Sequence, residues 1–285
     1  TRVWILFWIL LALSIKIVCI FNIKGFIWLG ADGESYIKGA VALLKDGVLS
    51  KDNVLQYWPA GYPFIIALLA KLSMNYALLL LSLCQSLLFA FSTWYFCSSL
   101  KNAKVSRITP FVAFILSVNP TLSLSSLTVG YESPVASLIL ISAAILITTF
   151  NKKEKLFQRL ILFSLVNSVM AFMQPRFLLT SVIMLIFWCS NVVKGKKFII
   201  YALIGVIFLL SFPASLIVRN HAATGLNTIS TNLGITMSIG AGPKASGGYS
   251  GSGGIACDPK PRSDNELVLC VVKWYLSNPK EDLRL

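Results

Sequence analysis

Charge is scarce in this chain: only 13% of its 285 residues are Asp, Glu, Lys or Arg, where a soluble domain carries about 25%. Acids are scarcest, with 11 carboxylates against 25 Lys and Arg. There is one histidine, His221. A lone histidine with no close cysteine or carboxylate pair makes no zinc site, and it reads as a surface loop residue. Phosphate-cradle motifs are lacking as well. The glycine-rich run 240–254 has neither a Gly-Lys-Ser/Thr ending nor a Gly-x-Gly-x-x-Gly after a strand, so it reads as a flexible loop. The two halves show no internal repeat. With so little charge, a soluble enzyme and a disordered tail are excluded, and the sequence carries no collagen-like pattern.

What the chain has in abundance is hydrocarbon. Hydrophobic residues make up 56% and the mean hydropathy is +0.76, which predicts an all-α polytopic membrane protein. Apolar runs at 3–21, 76–100, 108–128, 134–150, 156–173, 177–193 and 198–217 predict about seven spans. The first lacks the small-residue cleavage pattern of a signal peptide and is kept as a span. Residues 62–72 are apolar but too few to cross, so an interfacial or re-entrant segment is expected. The start at Thr1 and the polar stretch 279–285 read as a fragment of a longer chain.

Charge distribution orients the spans. Lys101, Lys104 and Arg107, then Lys152, Lys153, Lys155 and Arg159, then Lys194, Lys196 and Lys197 occupy alternate connections. Basic residues gather on cytoplasmic loops, so the N-terminus and these loops are expected inside. The formal charge of +14 is then a topology signal rather than a nucleic-acid footprint. Ten of the 11 carboxylates fall on the other side, where the chemistry is expected. The expected organisation is a transmembrane core, 1–217, with an outer loop at 22–61, followed by an extracytoplasmic segment, 218–285.

The outer loop contains Asp32, then Glu34 and Ser35 opening an amphipathic helix that stops near Gly47 and lies flat on the membrane. Trp58-Pro59-Ala60-Gly61-Tyr62-Pro63 makes a rigid turn into the next apolar segment. Asp32 has two readings, an N-cap for that helix or a reactive carboxylate. Glu132 lies alone in an uncharged turn, as a functional acid or as a helix start before Pro134. Glu34 is equally a solvated first-turn acid. Arg176 and Arg219, at span ends, suit a lipid phosphate or simply anchor their helices. Cys19, Cys84, Cys97 and Cys189 fall in spans and act as small apolar residues. Cys257 and Cys270, thirteen positions apart outside the spans, are expected to form a disulfide.

Taken together, Asp32, Tyr36, Leu43-Leu44-Lys45-Asp46-Gly47 and Trp58-Pro59-Ala60-Gly61-Tyr62-Pro63 resemble the first outer loop of the GT-C membrane glycosyltransferases. The nearest branch includes aminoarabinose transferases and protein O-mannosyltransferases, which often have a second proline where this chain has Ala60. Asn119-Pro120 followed by Tyr131-Glu132, Met173-Gln174-Pro175-Arg176, and Arg219-Asn220 leading to Ile229–Gly234 and Gly240-Ala241-Gly242-Pro243, Gly247-Gly248-Tyr249 continue the resemblance in order.

The resemblance implies transfer of a sugar from a polyprenyl-phosphate donor, with inversion, to a lipid, glycan or protein acceptor. The reaction would take place on the extracytoplasmic face of a bacterial inner or plasma membrane. Asp32 is then the expected general base, with Glu132 as the second catalytic carboxylate. Glu34, Tyr36, Tyr62, Arg176, Arg219 and Asn220 are expected to bind substrate, the arginines at the phosphate. A divalent cation bridging the carboxylates stays open. The rival class is a secondary transporter or lipid flippase, which would place ionisable groups near the bilayer midplane; only Lys16 sits well inside a span. A non-catalytic membrane subunit is the third reading.

Overall fold

A proline and its neighbour decide where the third apolar run breaks. Asn119 is extended (φ −60, ψ 117) because the ring of Pro120 excludes helical torsions from the residue before it. The Asn119 side chain then accepts from the Leu122 amide at 3.0 Å and caps the helix that follows. The expected span at 108–128 is therefore a helix pair bent by 62°.

The computed structural model describes residues 2–22, 28–103, 105–242, 254–255 and 257–278. Lys104, the glycine-rich residues 243–253 and the polar stretch 279–285 lie outside them. In chain order the elements are α1 (Arg2–Asn22), β1 (Trp28–Leu29), α2 (Gly33–Asp46), α3 (Val54–Tyr57), α4 (Gly61–Leu72), α5 (Ala77–Asn102), α6 (Thr109–Val118), α7 (Pro120–Leu124), β2 (Thr128–Val129), α8 (Glu132–Asn151), α9 (Leu156–Met173), α10 (Phe177–Val192), α11 (Lys196–Thr224), α12 (Leu233–Ile239) and α13 (Asp264–Ser277). They fall into two units. One takes in residues 2–55 and 59–229, the other residues 56–58 and the described residues from 230 to 278.

Apart from two short strands, the described residues are all-α. Among the described residues five helices are long and apolar enough to cross a membrane, or six if the bent α6–α7 pair counts as one. They are α1, α5 with its preceding turn, α8, α9 and α11. Helix α10 has 16 residues, about 24 Å at 1.5 Å per residue, and falls short of that length. The run expected at 198–217 is longer than its apolar stretch, continuing as one helix through Arg219 and Asn220 to Thr224. Helix α4 has 12 residues. Large apolar side chains such as Val3, Leu179 and Ile207 are more than two-thirds exposed, a pattern suited to lipid and not to water.

Polar side chains join helices inside the larger unit. Asn167 on α9 donates to Ser142 Oγ on α8 at 3.0 Å and accepts from Ser181 Oγ on α10 at 3.1 Å. Each such contact contributes about 0.6–2 kcal/mol between membrane helices. Ser168 on α9 accepts from the Phe212 amide of α11 at 3.1 Å, one residue before Pro213, which has no amide hydrogen of its own to give. Lys16 on α1 is buried, with Nζ 4.7 Å from the centre of the Phe89 ring of α5.

Gly61 marks a close backbone approach between α4 and α9. A Cβ there would overlap the Phe172 carbonyl at the end of α9, so α4 begins with its backbone against that helix. Replacing Gly61 with Ala must push the two apart. Thermal unfolding of Gly61→Ala in detergent is expected to show a loss of about 1–3 kcal/mol; an unchanged transition would contradict the packing described.

Candidate functional site

Glycine and a two-residue strand pair set the position of Asp32. Strand β1 runs parallel to β2, with Leu29 opposite Val129. The Gly33 amide then donates to the Gly30 carbonyl at 2.9 Å, and a Cβ on Gly33 would stand 2.9 Å from the Val129 carbonyl. Only glycine lets α2 begin in contact with β2. Asp32 thereby takes the N-cap position, and its carbonyl accepts from the Tyr36 amide at 3.1 Å. Its carboxylate makes no capping hydrogen bond. The capping interaction open to it in the sequence is not made. The carboxyl is half-buried; desolvation raises its pKa above the usual Asp value, and the nearby Arg176 guanidinium opposes that rise.

Three tyrosines line the same place. The Tyr36 ring meets Tyr62 edge-on at 5.2 Å between centres and Tyr131 at 6.2 Å. All three are buried. Tyr62 donates to Gln85 Oε1 at 2.9 Å and accepts from the Gly130 amide at 2.9 Å. Gln85, on α5, uses its amide hydrogens on the Ser126 and Thr128 carbonyls at 3.1 and 3.0 Å. One buried carboxamide therefore holds the strap that carries β2, and β2 holds β1 and Asp32. Burial, reinforced by the charges on Asp32 and Glu132, pushes the Tyr36 hydroxyl well above the ordinary tyrosine range. Burial likewise raises Tyr131. Both stay protonated at neutral pH, able to donate.

Arg176 closes the group. It stands at the N-cap position of α10 and donates from Nη2 to the Tyr131 hydroxyl, and the Gln174 side chain bonds to that same tyrosine. The guanidinium carbon lies 5.4 Å from the Tyr131 ring centre and 5.5 Å from that of Phe177. Arg176 remains exposed. Glu132, the first residue of α8, is exposed too, its carboxylate turned into the space left by the missing side chain of Gly130. Asp32, Glu132, Tyr36, Tyr62 and Arg176 thus come together.

The other expected substrate ligands do not join them. Glu34 points to solvent and pairs with Lys38 at 2.8 Å; that hydrogen bond and charge hold its carboxyl below the usual range. An exposed pair of this kind contributes little. Arg219 was expected at a phosphate, but it is buried and four of its five donors are already used. They go to the Val48 carbonyl at 3.0 Å, the Leu55 carbonyl at 3.2 Å, the Ser50 carbonyl and Asn220 Oδ1 at 2.7 Å. Asn220 in turn donates to the Thr228 and Ile229 carbonyls at 2.8 and 3.0 Å. This pair is a structural tie. His221 is exposed, and no group of three His, Cys, Asp or Glu able to hold a metal occurs among the described residues. Cys257 and Cys270 are joined in a disulfide.

Sequence reasoning passed over Tyr131 and Gln85 as site residues. Gln85 had a signal: it is an amide within a long apolar run, where burial without partners is costly. Set against known proteins, the chain matches no family model, no curated protein and no solved structure.

Removing the Tyr62 hydroxyl strands a buried amide and a carboxamide oxygen. Tyr62→Phe is expected to lose about 1–3 kcal/mol in thermal unfolding. Arg219→Lys, which cannot reach three carbonyls at once, should be at least as damaging. Glu34→Gln should stay within about 0.5 kcal/mol of the parent.

Proposed function

We propose that the chain is an integral-membrane glycosyltransferase of the GT-C type. It moves a sugar from a polyprenyl-phosphate donor to a hydroxyl of a lipid, glycan or protein acceptor on the extracytoplasmic face. The observation that carries this reading is Asp32: a desolvated carboxylate free of its capping role, beside Arg176 and three buried tyrosines. The order of motifs from Asp32 to Gly242 adds the resemblance. In this reading the bent α6–α7 pair and the short α10 both cross, giving seven spans. The basic connections after α5, α8 and α10 then face the cytoplasm.

In the reaction, Asp32 takes the proton from the acceptor hydroxyl as its oxygen attacks the anomeric carbon. The bond from that carbon to the phosphate oxygen breaks, and polyprenyl phosphate leaves with the electron pair. Arg176, held by its bond to Tyr131, would meet the growing phosphate charge. A raised pKa suits Asp32 to the role, since a base gains proton affinity as it rises. One observation favours transport or lipid flipping instead: Lys16 is an ionisable residue buried within a span.

The test is transfer by proteoliposome-reconstituted protein supplied with a panel of polyprenyl-phosphate sugars. Asp32→Asn is expected to lower turnover by about 10²–10⁴-fold; wild-type turnover in that variant overturns the base assignment. Activity should rise with pH as Asp32 deprotonates, at a pH above the ordinary Asp range. Because Arg176 holds the Asp32 pKa down, Arg176→Ala should move that acid limb to higher pH. Passage of lipid or solute without glycosyl product would establish the rival function.

A further inference from the structure

The smaller unit holds a cavity of about 590 Å³, within the range of roughly 300–1,000 Å³ typical of small-molecule sites. Its walls are well tied. Helix α12 lies against α13, where the Gly234 amide donates to Asp264 Oδ1 at 2.8 Å and a Cβ on Gly234 would come within 2.6 Å of the Asp264 carbonyl. The Cys257–Cys270 disulfide fastens the segment before α13 to the helix itself. Ser263 Oγ accepts from the Glu266 amide at 3.3 Å, and Glu266 Oε2 accepts from the Arg262 amide at 2.7 Å, a reciprocal cap that fixes the turn.

The lining has two characters. Ile235, Ile255 and Leu267 are apolar, while Lys260 and Arg262 flank Pro261 on one stretch of chain. Lys260 and Arg262 are exposed and stand two positions apart, so both side chains can reach the same side of the cavity. Asp264 also lines the cavity; one of its carboxylate oxygens accepts from the Gly234 amide, and one of Glu266 accepts from the Arg262 amide. Among the described residues no carboxylate forms an ion pair with Lys260 or Arg262. None of the described lining residues is aromatic, so a sugar ring finds no face to stack on.

We propose that this cavity binds a phosphate monoester carrying a short apolar group, with Lys260 and Arg262 on the phosphate and Ile235, Ile255 and Leu267 against the apolar part. A dianionic phosphate matches two cations, and the guanidinium fork takes two of its oxygens. The same chemistry is offered by the headgroup of a phosphate-monoester lipid and by a soluble ester. This site is independent of the Asp32 reading.

The experiment is calorimetric titration of the full chain, in nanodiscs of zwitterionic lipid, with n-butyl phosphate. One saturable site is expected, with weaker binding of inorganic phosphate. The Lys260→Ala/Arg262→Ala double variant should bind about tenfold or more weakly, with its disulfide intact by mass spectrometry and its thermal transition unchanged. Asp32→Asn should bind like the parent. In nanodiscs doped with phosphatidic acid, loss of butyl phosphate binding identifies the lipid headgroup as the occupant, and retained binding identifies a soluble ester. Absence of saturable heat, equal affinity for inorganic phosphate, or undiminished binding by the double variant overturns the proposal. None of those results bears on transfer by Asp32.

Discussion

The candidate site depends on one buried carboxamide. Gln85 reaches out of a membrane-length helix and engages all of its strong hydrogen-bonding groups: the carbonyl of Ser126 before β2, that of Thr128 within it, and the hydroxyl of Tyr62. In a low-dielectric interior such a network is firm when complete and costly when any member is missing. Because Tyr62 also accepts from the Gly130 amide, the strap is held at both ends. Its strand holds β1, and β1 leads straight into Asp32. The reactive-looking residues are positioned by groups with no chemistry of their own.

A second tie acts on the far end of the same loop. Arg219 gathers carbonyls from Val48 and Ser50 in the turn that follows α2 and from Leu55 in α3. Buried guanidinium groups are tolerated where their donors are answered, and here four of the five are. Helix α2 is therefore fixed before its first residue by the strand pair and after its last by α11. An arginine at a span end has two uses, reaching a lipid phosphate or gathering carbonyls. Its neighbours in space decide between them.

That distinction marks what was legible in the sequence. The all-α membrane class follows from composition and needs no partner residues. Span 156–173 matches α9, and most other apolar runs mark helices to within a few residues. The break at Asn119-Pro120 was written locally too, although the expected span ran through it. What stayed hidden depends on contacts across the chain. Nothing near Arg219 signals carbonyls 164–171 positions away, and nothing near Asp32 says that its carboxylate will leave the cap unmade. Gln85 and Tyr131 are ordinary residues in their local context, and folding alone brings them to the site.

The length of the Arg219 ties also has a meaning for biogenesis. At about 5–20 residues per second of synthesis, the carbonyls of residues 48–55 wait roughly 10–30 s for the arginine that will collect them. Over that interval the segment after α2 has emerged while its clamp is still unmade in the ribosome. The nascent chain therefore completes this loop only once α11 has been made, so the region around Asp32 finishes assembling after every helix from α1 to α10 has left the ribosome.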